Sequence, residues 1–153
     1  MGFDVMGVNP VNETGEYFRN NVWYWRPLWD YIVHHCSDIL TDEDITAGSF
    51  NDGHLIDESK ALAIAARLKK LLDSGETDTY SIEYKIGLES MPEEECVICG
   101  GTGVRDDAII SGECNGCKGK GTRPAFSTNY PFDIQNVRNF MEFCGTSGGF
   151  EIC

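Results

Sequence analysis

Two stretches of the chain repeat one pattern, Cys96-Val-Ile-Cys-Gly-Gly-Thr-Gly-Val-Arg105 and Cys114-Asn-Gly-Cys-Lys-Gly-Lys-Gly-Thr-Arg123. Aligned at an offset of 18 positions, both read C-x-x-C-x-G-x-G-x-R. Each CxxC turn can present two thiolates to the same side of a metal ion, and Zn²⁺ takes four in a tetrahedron. The spacing therefore predicts one metal ion held by Cys96, Cys99, Cys114 and Cys117.

Disulfides and two independent redox CxxC motifs are the alternatives to metal binding at these cysteines. The duplication, with an arginine at the matched position of each repeat, favours metal. Four cysteines close the coordination shell, so a structural ion is expected rather than a catalytic one. Seven of the 17 glycines lie between positions 100 and 121. Glycine permits a positive φ, which can turn backbone N–H groups toward the thiolates.

The repeated C-x-x-C-x-G-x-G resembles the DnaJ-type cysteine-rich zinc domain. That domain has four repeats and two zinc ions, whereas this chain has two repeats, Cys96 to Gly103 and Cys114 to Gly121. The resemblance covers about 28 residues and implies one zinc ion on the four cysteines. The sequence contains neither a His-Pro-Asp tripeptide nor a Gly/Phe-rich linker, so DnaJ co-chaperone activity does not carry over.

Most of the chain is also similar to an uncharacterised group of small bacterial and phage proteins. The similar segments, besides the two cysteine repeats, are Met1-Gly-Phe-Asp-Val, Gly15-Glu-Tyr-Phe-Arg-Asn-Asn-Val-Trp, Trp25-Arg-Pro-Leu, Asn129-Tyr-Pro-Phe and Ser147-Gly-Gly-Phe. This resemblance implies a phage or mobile-element origin and names no reaction.

The chain is strongly acidic, with 12 basic and 25 acidic residues among 153 and a formal net charge of −13. A protein that tracks phosphates normally carries a basic stripe, so nucleic acid is disfavoured as a partner. A protein partner with a basic surface is favoured. Four of the 12 basic residues belong to the cysteine repeats. We predict that they form a local partner-binding surface: Arg105, Lys118, Lys120 and Arg123.

All three tryptophans lie within seven positions, from Trp23 to Trp29. Pro27 suits the first turn of a helix, because its missing N–H costs nothing there. One helical face then follows from the spacing of Leu28, Trp29, Ile32, Val33 and Cys36. Before the proline, Trp23 and Trp25 alternate with Val22 and Tyr24, which leaves one set exposed in an extended segment. Trp23 and Trp25 are therefore candidate partner-binding residues, with core packing as the alternative.

Hydrophobic periodicity and capping residues predict the remaining elements. They comprise strands over 3–7, 80–86 and 150–152, and helices over 57–73 and from an Asp133 cap to about residue 144. Thr41 is a predicted helix cap, and the acidic run Asp42–Asp44 is interpreted as a solvated surface. The expected fold class is α+β: a single domain over 1–153, with a small helical and sheet body and a zinc-knuckle insert at 92–125.

No nucleotide-binding loop, HExxH or GxSxG motif is present, so a non-catalytic function is expected. We predict a zinc-stabilised acidic protein-interaction module. One alternative is an acidic inhibitor of a host nucleic-acid-acting defence enzyme, a DNA mimic of the anti-restriction or anti-CRISPR type. Direct nucleic-acid binding through the knuckles and tryptophans is a further alternative, which the net charge opposes. The absence of a long apolar run and of a secretory signal predicts a cytoplasmic protein with no membrane span.

Overall fold

A computed structural model describes residues 1–153. The chain folds into two compact units, one of residues 1–85 with 130–153 and one of residues 86–129. The predicted α+β class is confirmed by a mixture of helices and antiparallel sheets. The predicted insert, residues 92–125, falls inside the second unit. No helix is both long enough and apolar enough to cross a membrane.

The chain forms five α-helices and eight short strands. The helices are α1 (Val22–Cys36), α2 (Asp42–Ala47), α3 (Glu58–Ser74), α4 (Glu76–Glu89) and α5 (Ile134–Thr146). The strands are β1 (Gly2–Gly7), β2 (Tyr17–Asn21), β3 (His54–Ile56), β4 (Glu94–Glu95), β5 (Val104–Asp106), β6 (Ser111–Glu113), β7 (Thr122–Arg123) and β8 (Phe150–Ile152). Short 3-10 helices lie at Glu13–Gly15 and Phe126–Asn129.

The first unit is built on a four-stranded antiparallel sheet in the order β2-β1-β8-β3. Alternate residues of its strands are buried, as a sheet with one covered face requires. They are Phe3, Val5, Phe18, Ile56, Phe150 and Ile152. Helices α1, α3 and α5 supply the rest of the same core, together with Leu40 from the loop after α1. Helix α5 packs against α3 at Gly145, where a Cβ would lie 3.7 Å from the Ala65 methyl, an ordinary van der Waals distance.

Several predicted elements are confirmed within one or two residues. Strand β1, helix α3, helix α5 and strand β8 occupy the predicted positions. Asp57 caps α3 by accepting the N–H of Lys60, and Asp133 caps α5 in the same way with Gln135. Thr41 caps α2 in a full capping box with Asp44. These elements were readable because caps and amphipathic stripes are local features.

The predicted start of the first helix at Pro27 is wrong. Helix α1 begins at Val22, because the Asn21 side chain accepts the N–H groups of Trp23 and Tyr24 and caps the helix there. Pro27 lies inside the helix. The segment before the proline is therefore helical, and the strand that precedes it is β2, which was not predicted.

The predicted strand over 80–86 is also wrong, because these residues belong to helix α4. Apolar residues at every second position contain a helical i, i+4 pair as well as a strand pattern. Tyr80 and Tyr84 form that pair, with ring centroids 5.9 Å apart, and both contact Phe132. Ile82 and Ile86 point away and are exposed. Gly75 ends α3 at φ 81°, which allows α4 to begin at the next residue.

Trp25 does not belong to an exposed surface. It is 1% exposed, stacks between Phe3 and Trp29, and donates its indole N–H to the carbonyl of Gly48 at 2.7 Å. Trp23, on the same helix, is 37% exposed and packs its ring against Tyr130. The structure thus corrects the assignment of Trp25 to a partner-binding surface and leaves Trp23 accessible.

Replacement of Trp25 by alanine is expected to lower the free energy of unfolding by about 3–5 kcal/mol, since a fully buried ring and its hydrogen bond are both lost. The matched change Trp23→Ala is expected to cost about 1 kcal/mol. Urea denaturation followed by circular dichroism measures both. Equal losses in the two variants would contradict the core assignment of Trp25.

A buried carboxylate joins three elements of the first unit. Asp44, read from the sequence as solvated, is 3% exposed. Its carboxylate accepts hydrogen bonds from Lys60 Nζ at 2.6 Å, His54 Nε2 at 2.8 Å and the Thr41 N–H at 2.8 Å. The sequence showed the cap but not the two long-range partners, which come from α3 and β3. The rest of the acidic run, Asp42 and Glu43, is exposed as predicted.

Candidate metal centre

The four repeat cysteines converge on one point in the second unit. Their sulfur atoms all lie within 4.8 Å of one another. A regular tetrahedron with metal–sulfur bonds of about 2.3 Å has sulfur–sulfur edges of about 3.8 Å. The Cys99 and Cys117 sulfurs are 3.8 Å apart, which matches that edge. The four cysteines therefore form a candidate metal site, as their spacing predicts.

None of the seven cysteines forms a disulfide bond. The 3.8 Å between the Cys99 and Cys117 sulfurs is far longer than the about 2.05 Å of a disulfide bond. Cys36 and Cys144 are fully buried in the core of the first unit, and Cys153 is half-buried.

The two repeats are joined by reciprocal backbone hydrogen bonds. The N–H of Cys96 donates to the carbonyl of Gly121 at 2.9 Å, and the N–H of Cys114 donates to the carbonyl of Gly103 at the same distance. The first cysteine of each repeat is thus hydrogen-bonded to the last glycine of the other repeat. Strand β4 pairs with β7 beside this contact. The sequence repeat appears in space as a pair of matched turns.

Each repeat also directs a backbone N–H at one of its own thiols. Gly103 donates to Cys99 Sγ at 3.3 Å, and Gly121 donates to Cys117 Sγ at 3.2 Å. These bonds are the donors expected from the glycines of the motif. They stabilise negative charge on sulfur, which four thiolates around one divalent ion require.

The thiols influence one another's ionisation. Burial disfavours the Cys99 thiolate, but the Gly103 N–H and the neighbouring thiols more than offset it and lower the pKa of Cys99 to about 7. Burial and the neighbouring thiols together raise the pKa of Cys117 to about 11, although the Gly121 N–H opposes the rise. The thiols therefore titrate as one coupled group, and a bound cation would favour the thiolate form throughout.

The last glycine of each repeat lies at a close backbone contact. A Cβ on Gly103 would lie 2.4 Å from the carbonyl oxygen of Gly119, and one on Gly121 would lie 2.3 Å from that of Gly101. Both glycines have positive φ, 74° and 79°. Gly100 also has a positive φ, 59°, but open space around it.

Gly103→Ala is therefore expected to weaken metal binding more than Gly100→Ala. Both variants carry the cost of a left-handed alanine, about 1–2 kcal/mol, but only the first pushes the two repeats apart. Competition with a chromophoric zinc chelator measures the apparent affinity of each variant. If both variants lose the same affinity, the close contact between the repeats does not matter.

Only some side chains of the predicted basic surface are available to a partner. Arg105 donates to Asp107 at 2.7 Å and to Asn115 at 3.0 Å, so its guanidinium is engaged within the second unit. Lys118 and Lys120 are exposed and make no ion pair. Arg123 is half-buried in β7. Their role in partner binding stays a prediction.

The sequence patterns did not predict the exposed apolar residues of the second unit. Val97 and Ile98 occupy the first CxxC turn, and both are exposed. The Ile98 side chain lies over Gly116, the matching position of the other repeat, where a Cβ would come within 2.4 Å of it. The sequence does show this feature, as a Val-Ile pair between the two cysteines of the first CxxC turn.

Comparison with protein-family models, curated proteins and solved structures gives no match to this chain.

Proposed function

We propose that this protein is a zinc-stabilised, non-catalytic protein-interaction module of phage or mobile-element origin. The observation that carries the proposal is the closed set of four cysteine sulfurs, which two glycine N–H groups help to stabilise. The resemblance of the repeats to the DnaJ-type zinc domain supports zinc as the metal. The similarity of most of the chain to small bacterial and phage proteins supports the phage or mobile-element origin.

Zinc is favoured by the donor atoms. Four soft thiolates in a tetrahedral arrangement suit Zn²⁺ or an iron–sulfur centre, and metal ions that prefer oxygen donors bind poorly to such a site. A shell of four cysteines leaves no coordination position for a substrate, which favours a structural ion.

The second unit also needs such an ion to be stable. Its only core cluster consists of Cys96, Cys114 and Cys117, with Cys99 packed against them. No cluster of aliphatic or aromatic side chains stands in for it. Small units without an apolar core are generally held by metal or disulfides. These four cysteines form no disulfide, which leaves a metal ion.

The surface of the second unit suits protein contact. Exposed Val97 and Ile98 lie on one CxxC turn, and the unpaired Lys118 and Lys120 follow the other. Since a rigid zinc-bound turn loses little entropy on binding, apolar and charged side chains on it are good contact residues.

Two measurements test the proposal. Elemental analysis is expected to find about one zinc ion per chain. A tagged protein is expected to retain one stable partner from host lysate, and a variant with Lys118→Ala and Lys120→Ala is expected to lose it. The matched control, Lys70→Ala, changes an exposed lysine on α3 and is expected to keep the partner. Elution of the protein alone under gentle conditions counts against the proposal.

The net charge of −13 supports a second candidate, an acidic inhibitor that occupies the basic channel of a nucleic-acid-acting enzyme. This candidate predicts competition with DNA for a host nuclease and strong weakening by salt. Competition that is unchanged between low and high salt would argue against it. A gel shift at low salt tests direct nucleic-acid binding in the same samples.

A further inference from the structure

Only one face of the four-stranded sheet carries buried side chains. The inward residues of β1 and β8 lie in the core, whereas the outward residues of the four strands reach solvent. Met6 is 44% exposed, Tyr17 47% and Leu55 53%. Large apolar side chains on an uncovered sheet face are unusual, because strands at the surface normally alternate apolar-in with polar-out.

The strand register places these residues in one row. Met6 lies opposite Tyr17 on one side and opposite Glu151 on the other. Glu151 in turn lies opposite Leu55. Directly opposite side chains in antiparallel strands are neighbours, with Cβ atoms about 5 Å apart. The row Tyr17–Met6–Glu151–Leu55, here named the open sheet face, crosses four strands and about 14 Å.

Of the two carboxylates on the open sheet face, one has polar partners and the other has none. Asp4, two residues before Met6 on the same face of β1, accepts a hydrogen bond from the Tyr17 hydroxyl and lies 3.6 Å from Arg19 Nε. Glu151 is exposed and has no ion pair or side-chain hydrogen bond. An unpaired carboxylate therefore stands between two apolar side chains, Met6 and Leu55.

We propose that the open sheet face docks a basic protein segment, which places an arginine on Glu151 while its apolar side chains cover Met6, Tyr17 and Leu55. Arginine fits best, because its planar guanidinium binds a carboxylate through two hydrogen bonds and its stem covers apolar surface. At the centre of protein interfaces, such a charged pair is surrounded by contacts that exclude water.

Charge decides between this occupant and a second copy of the chain. Two copies would each bring a net charge of −13 to the contact, and such a repulsion opposes self-association. The same negative charge attracts a cationic segment. The open sheet face lies wholly in the first unit, so this inference does not depend on the zinc site or on the proposed function.

The test uses the full-length protein and a short synthetic peptide with one arginine between two leucines, flanked by threonines. Titration into the ¹⁵N-labelled protein is expected to shift the amide signals of β1, β2, β3 and β8. Glu151→Gln is expected to weaken binding about tenfold, since the charge-assisted bonds are lost. A peptide with glutamine in place of arginine is expected to bind the unchanged protein more weakly by the same factor.

The matched control is Glu142→Gln, which removes an exposed carboxylate without an ion pair from α5. This variant is expected to bind the arginine peptide within about twofold of the unchanged protein. Equal weakening by both glutamine variants, shifts spread over the whole acidic surface, or no saturable binding would each overturn the proposal. Sedimentation that shows a dimer dissociated by Leu55→Lys would overturn it too, by assigning the face to a second copy.

Discussion

Replacement of Cys96 by serine is expected to lower the apparent zinc affinity at least about a thousandfold, equivalent to about 4 kcal/mol. It is also expected to unfold the second unit, residues 86–129. The reason is that a serine hydroxyl is a poor zinc ligand and that the cysteines are themselves the core of this unit. Metal binding and folding are then one equilibrium, as in classical zinc fingers.

The same variant leaves the first unit folded, because its core cluster contains none of the four metal-site cysteines. A ¹H–¹⁵N spectrum separates the two effects: signals of residues 86–129 are expected to collapse, and those of 1–85 and 130–153 to stay dispersed. Cys153→Ser, a thiol outside the site, is the control and is expected to bind zinc normally. Equal stability with and without a strong chelator would refute a structural role for the metal.

Replacement of Asp44 by asparagine is expected to lower the free energy of unfolding at neutral pH by about 1.5–3 kcal/mol, the range for hydrogen bonds to a charged group. Burial by itself would raise the pKa of Asp44, but hydrogen bonds from His54, Lys60 and Thr41 more than offset this and hold the pKa well below its usual range. The charged carboxylate is thus stabilised by folding.

The pH dependence follows from that depressed pKa. A carboxyl group whose pKa is lower in the folded state contributes its full stability above the unfolded pKa, about 3.9. The contribution is lost as the pH falls below that value toward the folded pKa. Denaturant midpoints between pH 7 and pH 2 should therefore fall less steeply in Asp44→Asn than in the unchanged protein. Asp42→Asn, an exposed neighbour in the same helix turn, is the control and is expected to leave the profile unchanged.

The metal site could be read from the sequence because its determinants are local. Within one repeat, two cysteines and two glycines set the turn, the thiol positions and the N–H donors, and duplication at a fixed offset implies that the turns meet. The hydrogen bonds from Gly103 and Gly121 to sulfur agree with that reasoning. The same holds for α3 and α5, whose caps and apolar stripes need no distant residue.

The errors arose where one local pattern fits two structures. Tyr80 and Tyr84 satisfy both a strand and a helix period, and their contact with Phe132, far along the chain, favours the helix. Pro27 fits a first turn, but the cap that Asn21 provides starts the helix earlier.

By itself, the sequence determined the four cysteines of the candidate metal site, the acidic character and the α+β class, since these depend on spacing, composition and periodicity. Only the tertiary structure decided which acidic and aromatic side chains are removed from water. It buries Asp44 among His54 and Lys60, buries Trp25 beside Phe3, and leaves Glu151 exposed in the open sheet face. The physical reason is that burial and ion pairing arise from contacts between residues far apart in the chain, which no local pattern specifies.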